Sequence, residues 1–270
     1  MVTARPTTLG GVAIQRLGDI ADELGSFFML YSKGGDGKTT LAASLATNPA
    51  DSPVLFIDAE GGTKVVKHLK DIEVMSVDNW DQIVKIKAEL LKMPAENFPW
   101  KTIVIDNLSE IIQLATNKIV GNATEQTSQP KYGEMAREIV ALVRDLRNVL
   151  ARKRGVNLVI IAWDSFEKDE LAGRAIYTLR GTPMLQRDLP GIMDHIAHIE
   201  SIDNHPDARR LRFENSSRTI SKLRASADKA HLSIPKVIDY RLANMPLVDI
   251  VAALRRGVDF PVAKYPKIGN

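Results

Sequence analysis

The stretch FFMLYSKGGDGKTTLAASLA, residues 27–46, decides the fold. Phe27 to Tyr31 is wholly apolar, as expected of a strand buried on both faces. TTLAASLA (39–46) carries a helical pattern. Between them lies Ser32-Lys33-Gly34-Gly35-Asp36-Gly37-Lys38-Thr39-Thr40, a glycine-rich turn in the strand-to-helix context that a phosphate-binding loop requires. The glycines let consecutive backbone N–H groups turn inward as an anion nest. The helix beginning near Lys38 directs the positive end of its dipole at the same point. Lys38 is placed to reach the β- and γ-phosphates, and Thr39 to offer a hydroxyl to Mg2+. The spacing therefore implies Mg-ATP as ligand, with Ser32 to Thr40 forming the cradle. The usual motif begins with glycine where Ser32 stands.

Outward from this loop, two further apolar runs end in carboxylates. VLFIDAEGG (54–62) and TIVID (102–106) read as strands, and their carboxyl ends face the ligand crevice of a parallel sheet. Asp106 is assigned to the metal, in part through water, as a Walker B residue is. Glu60 is assigned to the attacking water as general base. A carboxylate at a strand end can also cap the following turn, and Asp58 suits that role.

VNLVIIA (156–162) is a fourth strand. Helical patterns are expected at Lys64–Lys70, Asp81–Lys92, Leu108–Val120 and Tyr132–Lys153, with a loop over 121–130. Strands alternating with helices predict a mostly parallel sheet covered on both faces. The polar segment Ser165–Asp188 has little periodicity and reads as a charged loop. His195–Ser201 and Arg210–Phe213 look like antiparallel additions, and Met245–Arg256 like a terminal helix. Val12–Leu24 reads as a short amphipathic helix. The expected divisions are an N-terminal arm over 1–24 serving oligomerisation, a core over 25–240, and a helix and tail over 241–270.

The chain has 270 residues, 44% of them apolar, which suffices for one large α/β core. It has no cysteine, which excludes disulfides and thiolate metal sites. No apolar run is long enough for a bilayer, and the absence of cysteine and of an apolar run of signal-peptide length at the start makes a cytoplasmic location the expectation. A net charge of +3 permits nucleic-acid binding without arguing for it. His195 and His198 lie near Asp194 and Glu200, where packing is the plainer role than metal ligation. The basic run Arg144–Arg154 reads as the solvated end of a helix.

Taken together, YSKGGDGKTTLA, VLFIDAEGG, WKTIVIDNLSEI, YGEMAREIVALVRDLRNV, VIIAWDSFEKDE and SKLRA resemble the RecA-type ATPase core. The layout is more similar still to small phage-encoded RecA-core ATPases, the group that includes single-strand-annealing recombinases of the Sak type. The resemblance runs from Phe27 to Ile238. It implies a RecA-like P-loop NTPase that hydrolyses ATP, acts on single-stranded DNA and assembles as a filament or ring in the cytoplasm of a bacterial host. It implies that the loops after the Asp106 helix and after Ala162 face DNA, with Arg174, Tyr177, Arg180 and Arg187 as candidate contacts. Trp163-Asp164 would occupy the γ-phosphate sensor position, where RecA has a glutamine. Lys222 and Arg224 would reach a neighbour's ATP.

The string Lys33-Gly34-Gly35-Asp36-Gly37-Lys38-Thr39 also resembles the deviant Walker A of ParA/MinD-like partitioning ATPases, in which the early lysine crosses a dimer interface. A third alternative is an ATP-binding switch with little turnover.

Overall fold

The computed structural model describes residues 8–9, 12–13, 25–121, 129–169, 174–216, 219–224 and 234–269. Strands β1 (Thr8–Leu9) and β2 (Val12–Ala13) form a short antiparallel pair. Val12 therefore starts a strand and not the expected helix. The rest of the segment expected to be helical, 14–24, lies outside the described residues.

The core follows in chain order as β3 (Phe27–Ser32), α1 (Lys38–Ala43), β4 (Val54–Asp58), β5 (Ile72–Ser76), α2 (Trp80–Lys92), β6 (Thr102–Asp106) and α3 (Leu108–Ala115). Then come α4 (Gln129–Leu146), continued through a π-turn into α5 (Arg152–Arg154), β7 (Asn157–Asp169), β8 (Arg174–Leu179) and α6 (Pro183–Ile192). The last elements are β9 (His195–Ile202), β10 (His205–Arg212), β11 (Val237–Arg241) and α7 (Leu247–Arg256).

The main sheet runs β11-β10-β9-β3-β7-β6-β4-β5. From β9 to β5 every pairing is parallel. β10 and β11 add on antiparallel, and β8 pairs back along the far half of β7. This is the mostly parallel α/β sheet that the alternation of patterns predicts.

The apolar runs are continuous because both sheet faces are covered. Phe27, Met29, Tyr31, Ile57, Ile105 and Ile160 pack in one core with α2, α3, α4 and α6. Phe28, Leu30, Phe56, Val104, Val159 and Ile161 pack in the other, with α1 and α7. Each such fully buried side chain contributes about 1.5–3 kcal/mol.

Below the sheet, at the starts of its parallel strands, Asp51 is fully buried. It accepts bonds from Asn48, Asn157 and both terminal nitrogens of Arg256. That network ties α7 to the loop before β4.

Three expectations need correction. Lys64–Lys70 is not a helix. A 3-10 turn covers Gly62–Val66, and edge strand β5 follows. β5 escaped the sequence reading because an edge strand whose residues 73–76 are all exposed has no apolar run to show. Ser165–Asp188 is not a loop but the rest of β7, the returning strand β8 and most of α6. Because this hairpin stands beyond the covered sheet, its alternation mixes polar and apolar residues. β10 starts at His205 and not at Arg210, and β11 adds a strand that was not expected.

Candidate active site

Strand β3 delivers the chain into the glycine loop at Ser32, which is fully buried. Gly35 and Gly37 take φ of 84° and 88°, the left-handed region that suits glycine. Gly37 caps α1, and its carbonyl accepts the N–H of Leu41 at 2.8 Å. Lys38 turns back over the loop. Its Nζ donates to Ser32 O at 2.9 Å, to Ser32 Oγ at 3.2 Å and to Lys33 O at 2.7 Å. The serine in place of the customary glycine thus gives the lysine one more acceptor. Burial pushes the Lys38 ammonium below its ordinary pKa, while Asp36, Glu60, Asp164 and Asp106 oppose that shift. An anionic ligand in the loop would oppose it further.

Asp36 is buried, and two residues from the far end of the chain fix it. Ser201 Oγ donates to its carboxylate at 2.8 Å, and Arg209 Nε to its carbonyl at 3.0 Å. Sequence reasoning missed both, because no local pattern links residues 165 and 173 positions apart.

The end of β6 faces the start of α1. Thr39 Oγ1 donates to Asp106 Oδ2 at 2.7 Å. The other carboxylate oxygen, Asp106 Oδ1, is buried with no hydrogen-bond partner. Burial raises the Asp106 pKa to about 6, the Thr39 bond opposes this, and nearby Glu60 and Asp58 add to it. A hydroxyl beside a carboxylate with an orphaned buried oxygen is a donor set that fits a hard divalent cation such as Mg2+.

The turn after β4 carries Glu60. Burial resists ionisation of Asp58, but bonds from Thr63, Gly61 and Glu60 outweigh it and hold the carboxyl below its usual range. Asp58 therefore builds the turn, as a strand-end cap. Asn107 spans the gap to the next strand. Its Oδ1 accepts the N–H of Glu110 at 2.9 Å, capping α3, and its Nδ2 donates to Glu60 Oε2. Glu60 is exposed, tethered beside Asp106 and directed by Asn107.

β7 lies between β3 and β6, and its parallel pairing ends at Trp163, at the level of the glycine loop and Asp106. Trp163 pairs with Ser32 across the ladder and donates its N–H to Ser109 Oγ at 3.0 Å. Asp164 follows and meets His198 of β9.

The structure does not bring Lys222 and Arg224 to this chain's own loop. Lys222 bridges to Ile196, near the start of β9, where His195 pairs with Phe28. That is four residues, or about 13 Å, down β3 from Ser32. Lys222 Nζ donates to Met193 O at 2.7 Å, and Arg224 to Asp194 at 3.0 Å, where Arg147 also bonds. His195, alongside, packs tilted against the Phe28 ring, and burial lowers its pKa to about 4, which favours the neutral imidazole.

The four arginine and tyrosine positions do not share one loop. Arg174 opens β8 opposite Asp169. Tyr177 is not the free stacking face expected, since its ring packs between Phe166 at 5.2 Å and His198 at 5.3 Å. Arg187 is on α6 and paired with Asp188. Arg180 is exposed, with its guanidinium 5.3 Å from the Trp163 ring. It borders a cavity of about 490 Å³ that Ser109, Gln113, Asn117, Tyr132 and Thr182 also line.

No helix among the described residues is long and apolar enough to cross a membrane. No curated protein matches the chain in sequence. Among solved structures, the crystal structure of the RadB recombinase is similar with TM-score 0.49 and 13% identity, over 82% of this chain and 88% of that one. An ATPase from the type III secretion system of pathogenic bacteria is similar with TM-score 0.44 and 14% identity, over 65% of this chain and 52% of that one. Residues 25–225 match the family model described as an AAA domain.

Proposed function

The chain belongs to the AAA-domain family of P-loop ATPases, and from that premise we propose that its ATP hydrolysis is RecA-like, magnesium-dependent and coupled to single-stranded DNA in a homo-oligomer, as in phage recombination or annealing. The observation that carries the reading is the joined set Thr39–Asp106 and Asn107–Glu60 at the mouth of the glycine loop.

In this reading Lys38 exchanges its bonds to Ser32 and Lys33 for bonds to the β- and γ-phosphates. Thr39 and Asp106 would hold Mg2+, which when bound would offset charge developing on the phosphates. Glu60, aimed by Asn107, orients a water and takes its proton. Lys222 and Arg224, lying away from their own loop, serve the site of a neighbouring subunit. The polar cavity beside Arg180 suits an unpaired nucleic-acid strand, where a guanidinium meets phosphates or bases.

ATP turnover measured with and without single-stranded DNA tests the reading. Turnover should rise with DNA, and DNA affinity should rise with ATP and fall with salt as counterion release requires. Replacing Arg174, Arg180 and Arg187 together by alanine should flatten the salt slope while sparing ATP binding. A protein that turns over ATP but binds no single strand at low salt keeps the ATPase and loses the DNA coupling.

A further inference from the structure

His198 lies on β9 beside Tyr31, the residue before Ser32. Its side chain is 7% exposed. Every element around it contributes a group that faces it. Tyr31 of β3 packs at 4.8 Å between ring centres, and Tyr177 of β8 stacks at 5.3 Å. From β7, Asp164 Oδ2 lies 3.4 Å from Nε2. From β9 itself, Glu200 Oε1 lies 3.8 Å from Nδ1, and Arg212 of β10 bonds to Glu200. The stacked Tyr177 ring and the tilted Tyr31 ring confine the imidazole, whose Nε2 edge is directed at Asp164. Burial opposes a charge on the ring, but the two carboxylates outweigh it and raise the His198 pKa above the ordinary 6.5.

Asp164 lies on β7 at the level where β3 turns into the glycine loop, since the preceding Trp163 pairs with Ser32. Its charge acts on Lys38. An ionised carboxylate at this place, 13% exposed, repels incoming phosphate unless a cation compensates it. His198 is the cation placed to do so.

We propose that His198 is a positioning residue for nucleotide binding and turnover: as imidazolium it holds and neutralises Asp164 at the mouth of the phosphate site, so that the triphosphate meets no net negative charge there. The proposal rests on ATP binding at the glycine loop, and the experiment separates the two.

Affinity for a non-hydrolysable ATP analogue, and KM and kcat for ATP, are measured from pH 5.5 to 8.5 in wild type, His198→Gln, Asp164→Asn and the double variant, with melting curves as a check on folding. In wild type, affinity weakens as pH rises through the raised His198 pKa and the imidazolium is lost. At pH 6, His198→Gln weakens affinity about tenfold, the scale of one charge-assisted contact, with a smaller change in kcat. Asp164→Asn removes that pH-dependent limb, and the double variant matches Asp164→Asn alone, because no charge is left to compensate.

Additive effects in the double variant, or His198→Gln with wild-type affinity and pH profile, overturn the proposal. If His198→Gln fails to fold, Asp164→Asn decides alone, and persistence of the limb in it overturns the proposal. A wild type that binds the analogue but does not turn over leaves the affinity comparison intact. A wild type that does not bind it removes the ATP reading and this proposal together.

Discussion

Thr39 and Asp106 are joined by a single hydrogen bond of 2.7 Å that closes the first turn of α1 onto the end of β6, and it leaves the second oxygen of Asp106 buried and unpaired. In the proposed reading, the pair would receive a divalent cation with its oxygens already in place.

Its pH dependence follows from the raised Asp106 pKa. A carboxyl moved from 3.8 to about 6 adds stability that is fully present below pH 3.8 and is lost as pH rises through 6. At pH 7.5, Asp106→Asn should therefore stabilise the ligand-free protein by about 1–3 kcal/mol. Mg2+ should raise the melting temperature of wild type more at pH 7.5 than at pH 5, and of the variant at neither. A variant that melts below wild type at pH 7.5 contradicts the assignment.

Glu60→Gln keeps the bond from Asn107 in reach but cannot take a proton. It should bind ATP normally and hydrolyse it about 100-fold more slowly. Asn107→Ala should slow turnover by a smaller factor and also destabilise the protein by about 1 kcal/mol, since it removes the α3 cap. Turnover at the parent rate in Glu60→Gln would make that residue structural.

The two lysines of the loop should behave oppositely. Lys38→Ala should abolish ATP binding with the fold retained, because the side chain bonds only to the loop. Lys33 is exposed, and Lys33→Ala should leave turnover within about twofold of wild type. Loss of activity in Lys33→Ala would favour the deviant Walker A dimer.

Mixing Arg224→Ala with Lys38→Ala subunits should restore part of the ATPase activity. One keeps its loop and the other its Arg224, so mixed assemblies contain whole sites. No recovery at any ratio, with co-assembly shown by light scattering, would mean that Arg224 serves only its contact with Asp194.

Asp51→Ala should lower stability by about 3–5 kcal/mol, because it strips a buried partner from Arg256 and leaves Asn157 short of an acceptor. ATP affinity in the folded fraction should not change, as Asp51 lies at the other end of the sheet. Chemical denaturation and a nucleotide titration read the two effects separately.

Residues 27–46, Glu60 and Asp106 were legible because their signals are local: an apolar strand, then a turn or a carboxylate, at a spacing that backbone geometry dictates. The Asp36 clamp from Ser201 and Arg209, and the meeting of His198 with Asp164, were not, since each depends on which strands lie side by side. Tyr177 shows the same limit. Its ring is equally suited to bases or to a histidine, and only the pairing of β8 with β7 chooses. The β7–β8 hairpin was misread because, outside the covered sheet, a strand need not be apolar.

The clamp on Asp36 also bears on how the protein is made. A chain emerging from the ribosome as far as Asp164 already carries Lys38, Thr39, Glu60 and Asp106. It still lacks β9, which flanks β3, and the two donors that hold the glycine loop in shape. The shape of the glycine loop is thus completed only once β9 and β10 have been made and β9 has docked beside β3.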